Sequence, residues 1–591
     1  MMRKNSPLLV VAGLTLAPLI AQPTEVPEIV AGPTARAVHE RAAALVPFGY
    51  SGQVLVVQDG VPILHQAYGT AVRRDGVPLS TRTAIGIASM SKQVAAVAAL
   101  RLVDRGLLQL HAGIGEHLPQ LGPTKGALTL HQLLTHTAGL RGGDLAPDFG
   151  FRDRDHLVTA IAEQPLARPP GGPWEYANSG YNLVALLVEA VSGEDYGAFL
   201  QREVFAPAGM EHAALWHDAR DRGLAVAHAY RAFVDRGSPH DWPRNWRVHG
   251  AGDVVATAAD VYRLQRAIDS GALLSPASRA AMFTRHIPLM AGDTTSYGYA
   301  WFAYESEAGG AVFEHGGDWE GGYNGVCFRY PATESMIIIT SNARDDAGVW
   351  MRQWLQGDAE QLLHGREPGP APPVVRPLDA RTRSRLVGGW RLAPGDRIEF
   401  RWDGTHTWLT GRGQAAVDLL DGAPARADAG TAAATDQCRR LIGALFGDED
   451  AAFRAALGAA GVAHLADYLA EWRGFVSLHG PLRAFDIGGA LQRGANAVVH
   501  AELRFRDRRL TLATLWREAG HGRLGGTWVA PCPEPRALAV ARRPDGGLIA
   551  YQPFRDQRVD IALRRGDDDR PLLQLTVSGV TRDAVPESLD R

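Results

Sequence analysis

The pattern of apolar and polar positions changes period several times along the chain. "PTARAVHERAAALV" (33–46) places its apolar residues at helical spacing. "GQVLVVQDGVPILHQAYG" (52–69) follows as two β-rich runs joined at Asp59-Gly60, a dipeptide that suits a tight hairpin turn. An alanine- and leucine-rich helix is predicted from Ser89 to about Gly106. "HQLLTHTAGL" (131–140) and "YNLVALLVEAVSG" (181–193) read as further core helices, the second ended by Gly193. From residue 311, "AVFEHGGDWEGGYNGVCFRYPATESMIIITSN" returns to strands broken by glycines and by a turn at Pro331. Helices thus fill the middle and strands both flanks. This predicts an α/β (α+β) unit whose antiparallel sheet takes its first and last strands from the two ends of one domain.

The pattern then breaks. "GREPGPAPPVVRP" (365–377) has a proline- and glycine-rich composition that favours extended chain, and the main domain boundary is placed there. Beyond it, "RIEFRWDGTHTWLTGRG" is hairpin-like around Asp403-Gly404, 436–475 reads as helices, and 482–520 as strands. The last 55 or so residues are strand-like again. The economical reading of 378–591 is a β-barrel opened by an inserted α+β unit at about 430–530. No internal repeat of fixed period stands out.

The N-terminus has a different character. Arg3 and Lys4 precede an apolar run, Leu8 to Ile20, that ends in small Ala21, the layout of a secretory signal over 1–21. The run is shorter than the ~20 apolar residues a membrane span requires. The mature chain is therefore expected in the periplasm or secreted, with no membrane span. Elsewhere the composition is that of a folded globular protein, 46% hydrophobic and 21% charged. A net charge of -3 gives no footprint for nucleic acid. Cys327, Cys438 and Cys532 are far apart and odd in number, so they imply no disulfide framework. H-x-H-x-D, H-E-x-x-H and C-x-x-C spacings do not occur, so a zinc site has no sequence support.

Lysine usage changes the picture. The chain has three lysines, Lys4, Lys92 and Lys125, among 61 basic residues, yet one of them opens the apolar helix at "IASMSKQVAAVAAL". Ser89 and Lys92 stand at i and i+3, on one helical face. A desolvated lysine can lose its charge and accept a serine proton, which arginine cannot do. Ser91 is adjacent to the lysine and off its face, so Ser89 is the candidate nucleophile. In "PGGPWEYANSGYNL", Tyr176 is a candidate acid–base beside a cationic lysine, and Asn178 a donor and acceptor for a substrate amide or ester. By themselves these two suit a packed tyrosine and a helix N-cap equally well. In "HGGDWEGG", Gly316 and Gly317 allow a close backbone approach beside His315, and a glycine-rich turn is the competing reading.

Together, Ser89-x-x-Lys92, Tyr176-x-Asn178 and His315-Gly316-Gly317 resemble the S-x-x-K, Y-x-N and (K/H)-x-G motifs of the penicillin-recognising serine hydrolases. Within that group the chain looks most like the class C β-lactamase, D-aminopeptidase and family VIII esterase branch, over about 35–364. "LTLHQLLTHTAGL" and "AGDVVATAADVYRL" are similar to stretches of the same branch and are read as scaffold. The resemblance implies a β-lactamase/transpeptidase-like sandwich. Ser89 would form an acyl-enzyme, Lys92 and Tyr176 would share the proton transfers, and Asn178 and His315 would orient substrate. The backbone N–H groups of Ser89 and Asp318, beside Gly317, would form the oxyanion hole, with no cofactor.

One departure stands out. His315-Gly316-Gly317 replaces the K-T-G usual in β-lactamases and transpeptidases, which favours esters or D-residue amides over substrates held by a carboxylate. A true β-lactamase or D-Ala-D-Ala carboxypeptidase is the alternative enzyme, and a non-catalytic penicillin-binding or sensor module the alternative of another class. G-x-S-x-G does not occur, which disfavours an α/β-hydrolase. The region beyond 378 resembles the β-barrel appendages of some relatives, and its helical middle an NTF2-like insert.

Overall fold

A computed structural model describes residues 26–587, apart from 143–150, 152, 291, 307–309, 320, 345–350, 394–395, most of 414–480, and 494–495, 505–508, 518–522, 531–536, 553–556, 566–570 and 579. The segment read as a secretory signal, Cys532 and most of the residues expected to form helices at 436–475 lie outside the described residues.

The catalytic half, the half that holds the candidate catalytic residues, is built on a nine-stranded antiparallel sheet. In chain order its strands are β1 (Ile29–Val30), β2 (Gly52–Gln58), β3 (Val61–Tyr68), β4 (Ile287–Pro288), β5 (Ser296–Tyr297), β6 (Phe302–Glu305), β7 (Ala311–Asp318), β8 (Asn324–Tyr330) and β9 (Ser335–Ser341). Their spatial order is β1-β3-β2-β9-β8-β7-β6-β5-β4. The first and last long strands are therefore neighbours, with Leu55 opposite Ile338. The hairpin turn between β2 and β3 is the expected Asp59-Gly60, at φ of 49° and 78°; a pair of left-handed residues matches the twist of the flanking strands.

β2 and β9 read as unbroken apolar runs because both faces are covered. Leu55, Val57 and Ile338 join a core with α2 (Ser91–Asp104) and α3 (Asn178–Ser192). Val54, Val56, Ile337 and Ile339 join a second core with α1 (Gly32–Leu45) and α5 (Gln353–Leu363), while α4 (Ala258–Asp269) packs against the first. Of the helix expected over 131–140, only Leu130–Leu134 forms, opened by a Thr129 capping box. It stops because His136 and Gly139 take left-handed φ of 58° and 70°. Apolar spacing alone did not reveal that bend.

After the proline-rich segment, eight strands close a barrel: β10 (Gly388–Ala393), β11 (Asp396–Trp402), β12 (Thr407–Arg412), then β17 (Ala537–Arg542), β18 (Leu548–Gln552), β19 (Gln557–Arg565), β20 (Pro571–Val577) and β21 (Val580–Pro586). Between β12 and β17 lies a separate four-stranded sheet, β13 (Ala484–Arg493), β14 (Asn496–Arg504), β15 (Arg509–Arg517) and β16 (Arg523–Ala530). An interrupted barrel is thus the observed arrangement.

The barrel joins the catalytic half through apolar packing and one buried ion pair. Ala537, Ala539 and Ala541 face the core under α1, while the alternate Leu538 and Val540 face the barrel's own core. Arg73, wholly buried, lies 2.9 Å from Asp403 at the β11–β12 turn, with its guanidinium over the Tyr230 ring. Asp403 also accepts from Trp408 Nε1 at 2.7 Å. Cys327 and Cys438 are both buried, and burial pushes the Cys327 thiol up to about 12.

Candidate active site

Ser89 sits in a single 3-10 turn, Ala88–Met90, that leads directly into α2. The turn is pinned from behind, because the Ile87 N–H donates to Val254 O at 2.9 Å. Ala88 is held at φ 45°, a left-handed conformation uncommon for alanine. Strand β7 presses on the turn from the side. A Cβ on Gly317 would lie 2.1 Å from Ile87 O, 2.8 Å from Ser89 N and 2.9 Å from Met90 N, so only glycine admits this approach. Ser89 itself is half-buried, open to an incoming molecule, and the positive end of α2 lies beside it.

Lys92 is one turn further into α2 and wholly buried. Its Nζ donates to Ser89 Oγ at 3.1 Å, to Asn178 Oδ1 at 2.7 Å and to Ala251 O at 2.8 Å. The last two partners are carbonyl oxygens, which only accept. Two N–H bonds are therefore committed in either protonation state. The direction toward Ser89 carries a proton in the ammonium form and a lone pair in the amine, a variable valence suited to proton exchange with Ser89.

Tyr176 and Asn178 arrive from the start of α3. Asn178 is the first helical residue, and its oxygen goes to Lys92 rather than to a cap; the N-cap position is Ala177, with no side-chain cap bond. The Tyr176 ring lies 4.8 Å from Lys92 Nζ. On its other side it packs against His136, with ring centroids 4.4 Å apart. His136 Nδ1 accepts from the Ala177 N–H at 3.2 Å, which leaves the ring proton on Nε2. Burial, together with Lys92 and His315, holds the His136 pKa well below its usual value.

His315 lies on β7, 1% exposed, and both ring nitrogens bond within the protein. Nδ1 donates to Gly316 O at 2.6 Å, so Nε2 accepts from the Tyr297 hydroxyl at 3.0 Å. Burial and the Lys92 charge lower its pKa to about 3, which keeps it neutral. Its ring centroid lies 6.4 Å from that of Tyr176. Asp318 ends β7, and its carboxylate lies 3.1 Å from Arg352, which itself packs across Gly316.

Sequence reading had not singled out Ala251, His136, Tyr297 or Arg352 for a role. Ala251 acts through its carbonyl, which no side-chain motif can signal, although it opens the quoted stretch "AGDVVATAADVYRL". Ser91 is fully buried and accepts from the Val254 N–H at 3.1 Å, a structural role. Among the described residues, one group of candidate metal ligands, Asp195, His217 and Asp218, has donor atoms within 4.8 Å of one another. Arg244, 3.6 Å from Asp195, already places a positive charge there.

Comparison with known proteins finds similar chains. The chain is 27% identical over 405 residues to penicillin-binding protein 4* of Bacillus subtilis, covering 64% of this chain and 87% of that protein. It is 25% identical over 337 residues to the esterase EstB of Burkholderia gladioli, covering 49% and 84%. The crystal structure of a penicillin-binding protein from Bacillus halodurans aligns over 52% of this chain and 94% of that one, at 24% identity and a TM-score of 0.44. The profile of the Beta-lactamase family matches residues 49–358, a span that holds Ser89, Lys92, Tyr176, Asn178 and the His315–Asp318 strand end, and the chain belongs to that family of penicillin-recognising serine hydrolases.

Proposed function

We propose that the chain is a secreted or periplasmic serine hydrolase that works through an acyl-enzyme on a small ester, amide or D-amino-acid-containing peptide. The observation that carries this reading is the geometry at Lys92, a buried amine held by two carbonyl oxygens and 3.1 Å from Ser89 Oγ. In its neutral form Lys92 takes the Ser89 proton as the oxygen attacks a carbonyl carbon. The oxyanion meets the N–H groups of Ser89 and Asp318, with Gly317 lying against the first of them. Lys92 and Tyr176 return a proton to the leaving group. Water then cleaves the acyl ester by the reverse transfers, and no cofactor is needed.

The neutral, internally bonded His315 supports the choice of substrate. A lysine in its place would offer a substrate carboxylate a permanent charge, and this imidazole does not. The esterase relative points the same way. The penicillin-binding relatives favour the second reading, a true β-lactamase or D-Ala-D-Ala carboxypeptidase. Hydrolysis of p-nitrophenyl butyrate, D-alanine p-nitroanilide and a chromogenic cephalosporin, each corrected with Ser89→Ala, separates these. Preference for the ester or the D-alanyl amide is expected; preference for the cephalosporin reverses the ranking. No turnover of any of them, with stable labelling by a penicillin, would favour a binding or sensor module.

A further inference from the structure

The segment from Val248 to Val254 lies over the start of α2 and bonds to Ile87, Ser91 and Lys92 around the nucleophile turn. Ala251 O accepts from Lys92 at 2.8 Å, Val254 N–H donates to Ser91 Oγ at 3.1 Å, and Val254 O accepts from Ile87 N–H at 2.9 Å. Its own placement is set by a buried cluster. His249, 0% exposed, has Nδ1 3.2 Å from Asp253 Oδ2 and Nε2 3.4 Å from Glu189 Oε1 on α3. The other Asp253 oxygen accepts from Gly250 N–H at 3.0 Å, and His249 O accepts from Asn182 Nδ2 on α3 at 2.7 Å. Gly250 is at φ 72°, and a Cβ there would lie 2.5 Å from Ala185 Cβ, so the segment lies flat on α3. The rings of Tyr196 and Trp246 enclose the imidazole at 5.1 and 5.0 Å.

A buried imidazole between two carboxylates is a poor device for stability, since a well-packed apolar residue would serve as well or better. Its position offers a different use. Both carbonyl oxygens that hold Lys92 depend on α3: Asn178 is its first residue, and Ala251 belongs to the segment that His249 clamps to it. We infer that His249 is a positioning residue: by bridging Glu189 on α3 to Asp253, it sets the spacing between Asn178 Oδ1 and Ala251 O and so aims the variable valence of Lys92 at Ser89. Burial pulls the His249 pKa down, but Asp253 and Glu189 outweigh it and leave it raised. Arg244, 3.4 Å from Nδ1, and Arg154, 3.2 Å from Glu189, complete the charges around it.

The inference rests on the serine hydrolase reading, and one experiment tests the two apart. The full chain and its His249→Gln and Glu189→Gln variants are reacted with a fluorophosphonate, recording both the rate per titratable site and the final labelled fraction. Labelling of the parent chain at Ser89, with both variants slower by about 10- to 100-fold at an unchanged final fraction, is the expected result, since a small misplacement of a catalytic group costs rate. A lower labelled fraction at unchanged rate would mean that His249 only supports the fold, and overturns the inference. So do parent-like kinetics in both variants. If His249→Gln fails to fold, Glu189→Gln, at the edge of the cluster, decides by the same two readouts. A parent chain that is not labelled at all overturns the hydrolase reading and this inference with it.

Discussion

Lys92 occupies a position where arginine, the usual cation of this chain, would fail for two reasons. A guanidinium stays protonated, and its planar fork cannot place two donors on Asn178 Oδ1 and Ala251 O while leaving a lone pair for Ser89. Lys92→Arg is therefore expected to lose at least about 1000-fold in kcat, close to Ser89→Ala, while still folding; a purified variant within tenfold of the parent would remove Lys92 as the base. Gly317 gives a second residue-scale expectation. A methyl group there must displace Ile87 O or the Ser89 N–H, so Gly317→Ala should lower kcat by about 100-fold or more, the scale of a lost oxyanion donor. Unchanged steady-state kinetics would show that β7 does not press on the nucleophile turn as described. That Ser89, Lys92, Tyr176 and Asn178 lie together was legible, because they are side chains at recognisable spacings. The inward-facing bonds of His315 to Gly316 and Tyr297 were not, because a strand motif does not reveal which neighbour saturates a ring nitrogen.

Elements were legible where local chemistry decides them. Asp59-Gly60 announced its hairpin, and Gly193 ends α3 in a left-handed conformation as expected. The 131–140 helix failed because His136 is turned out of helical geometry to accept from Ala177, a partner distant in sequence. The joint between the β11–β12 turn and Arg73 was equally invisible, since Arg73 belongs to an unremarkable hairpin loop. That joint can be measured. Asp403 is held well below the usual carboxylate range, with Arg73 countering its burial. Arg73→Met leaves a buried carboxylate without its cation, at an expected cost of about 3–5 kcal/mol. The double variant Arg73→Met/Asp403→Leu should recover part of that loss in urea unfolding. Losses that simply add would mean the pair is not coupled across the joint.

At the scale of the molecule, buried neutral histidines couple stability to pH. His315 and His136 are held below their unfolded value near 6.5, so their contribution is complete above pH 6.5 and is lost as pH falls toward 3. His249 and His228, both raised, change in the opposite sense only above about pH 6.5 and do not offset this. His315 alone should remove about 2 kcal/mol between pH 7 and pH 5, and His136 acts in the same direction. Equal denaturation midpoints at the two values would contradict their burial as neutral groups. The interrupted barrel was legible as two strand-rich stretches around a different composition; which strands would close it was not, because closure pairs β10 with β21 across the whole insert.

The pairing of β2 with β9 also governs when activity can arise. Ser341 Oγ donates to Ser51 O from 290 positions away, and the central sheet lacks its middle until that stretch of polypeptide has left the ribosome. Long-range strand pairing of this kind is slow and late. Ser89 meets Gly317 and the rest of β7 only after more than half of translation is complete. On the serine hydrolase reading, the nucleophile is thereby withheld until the sheet has closed around it.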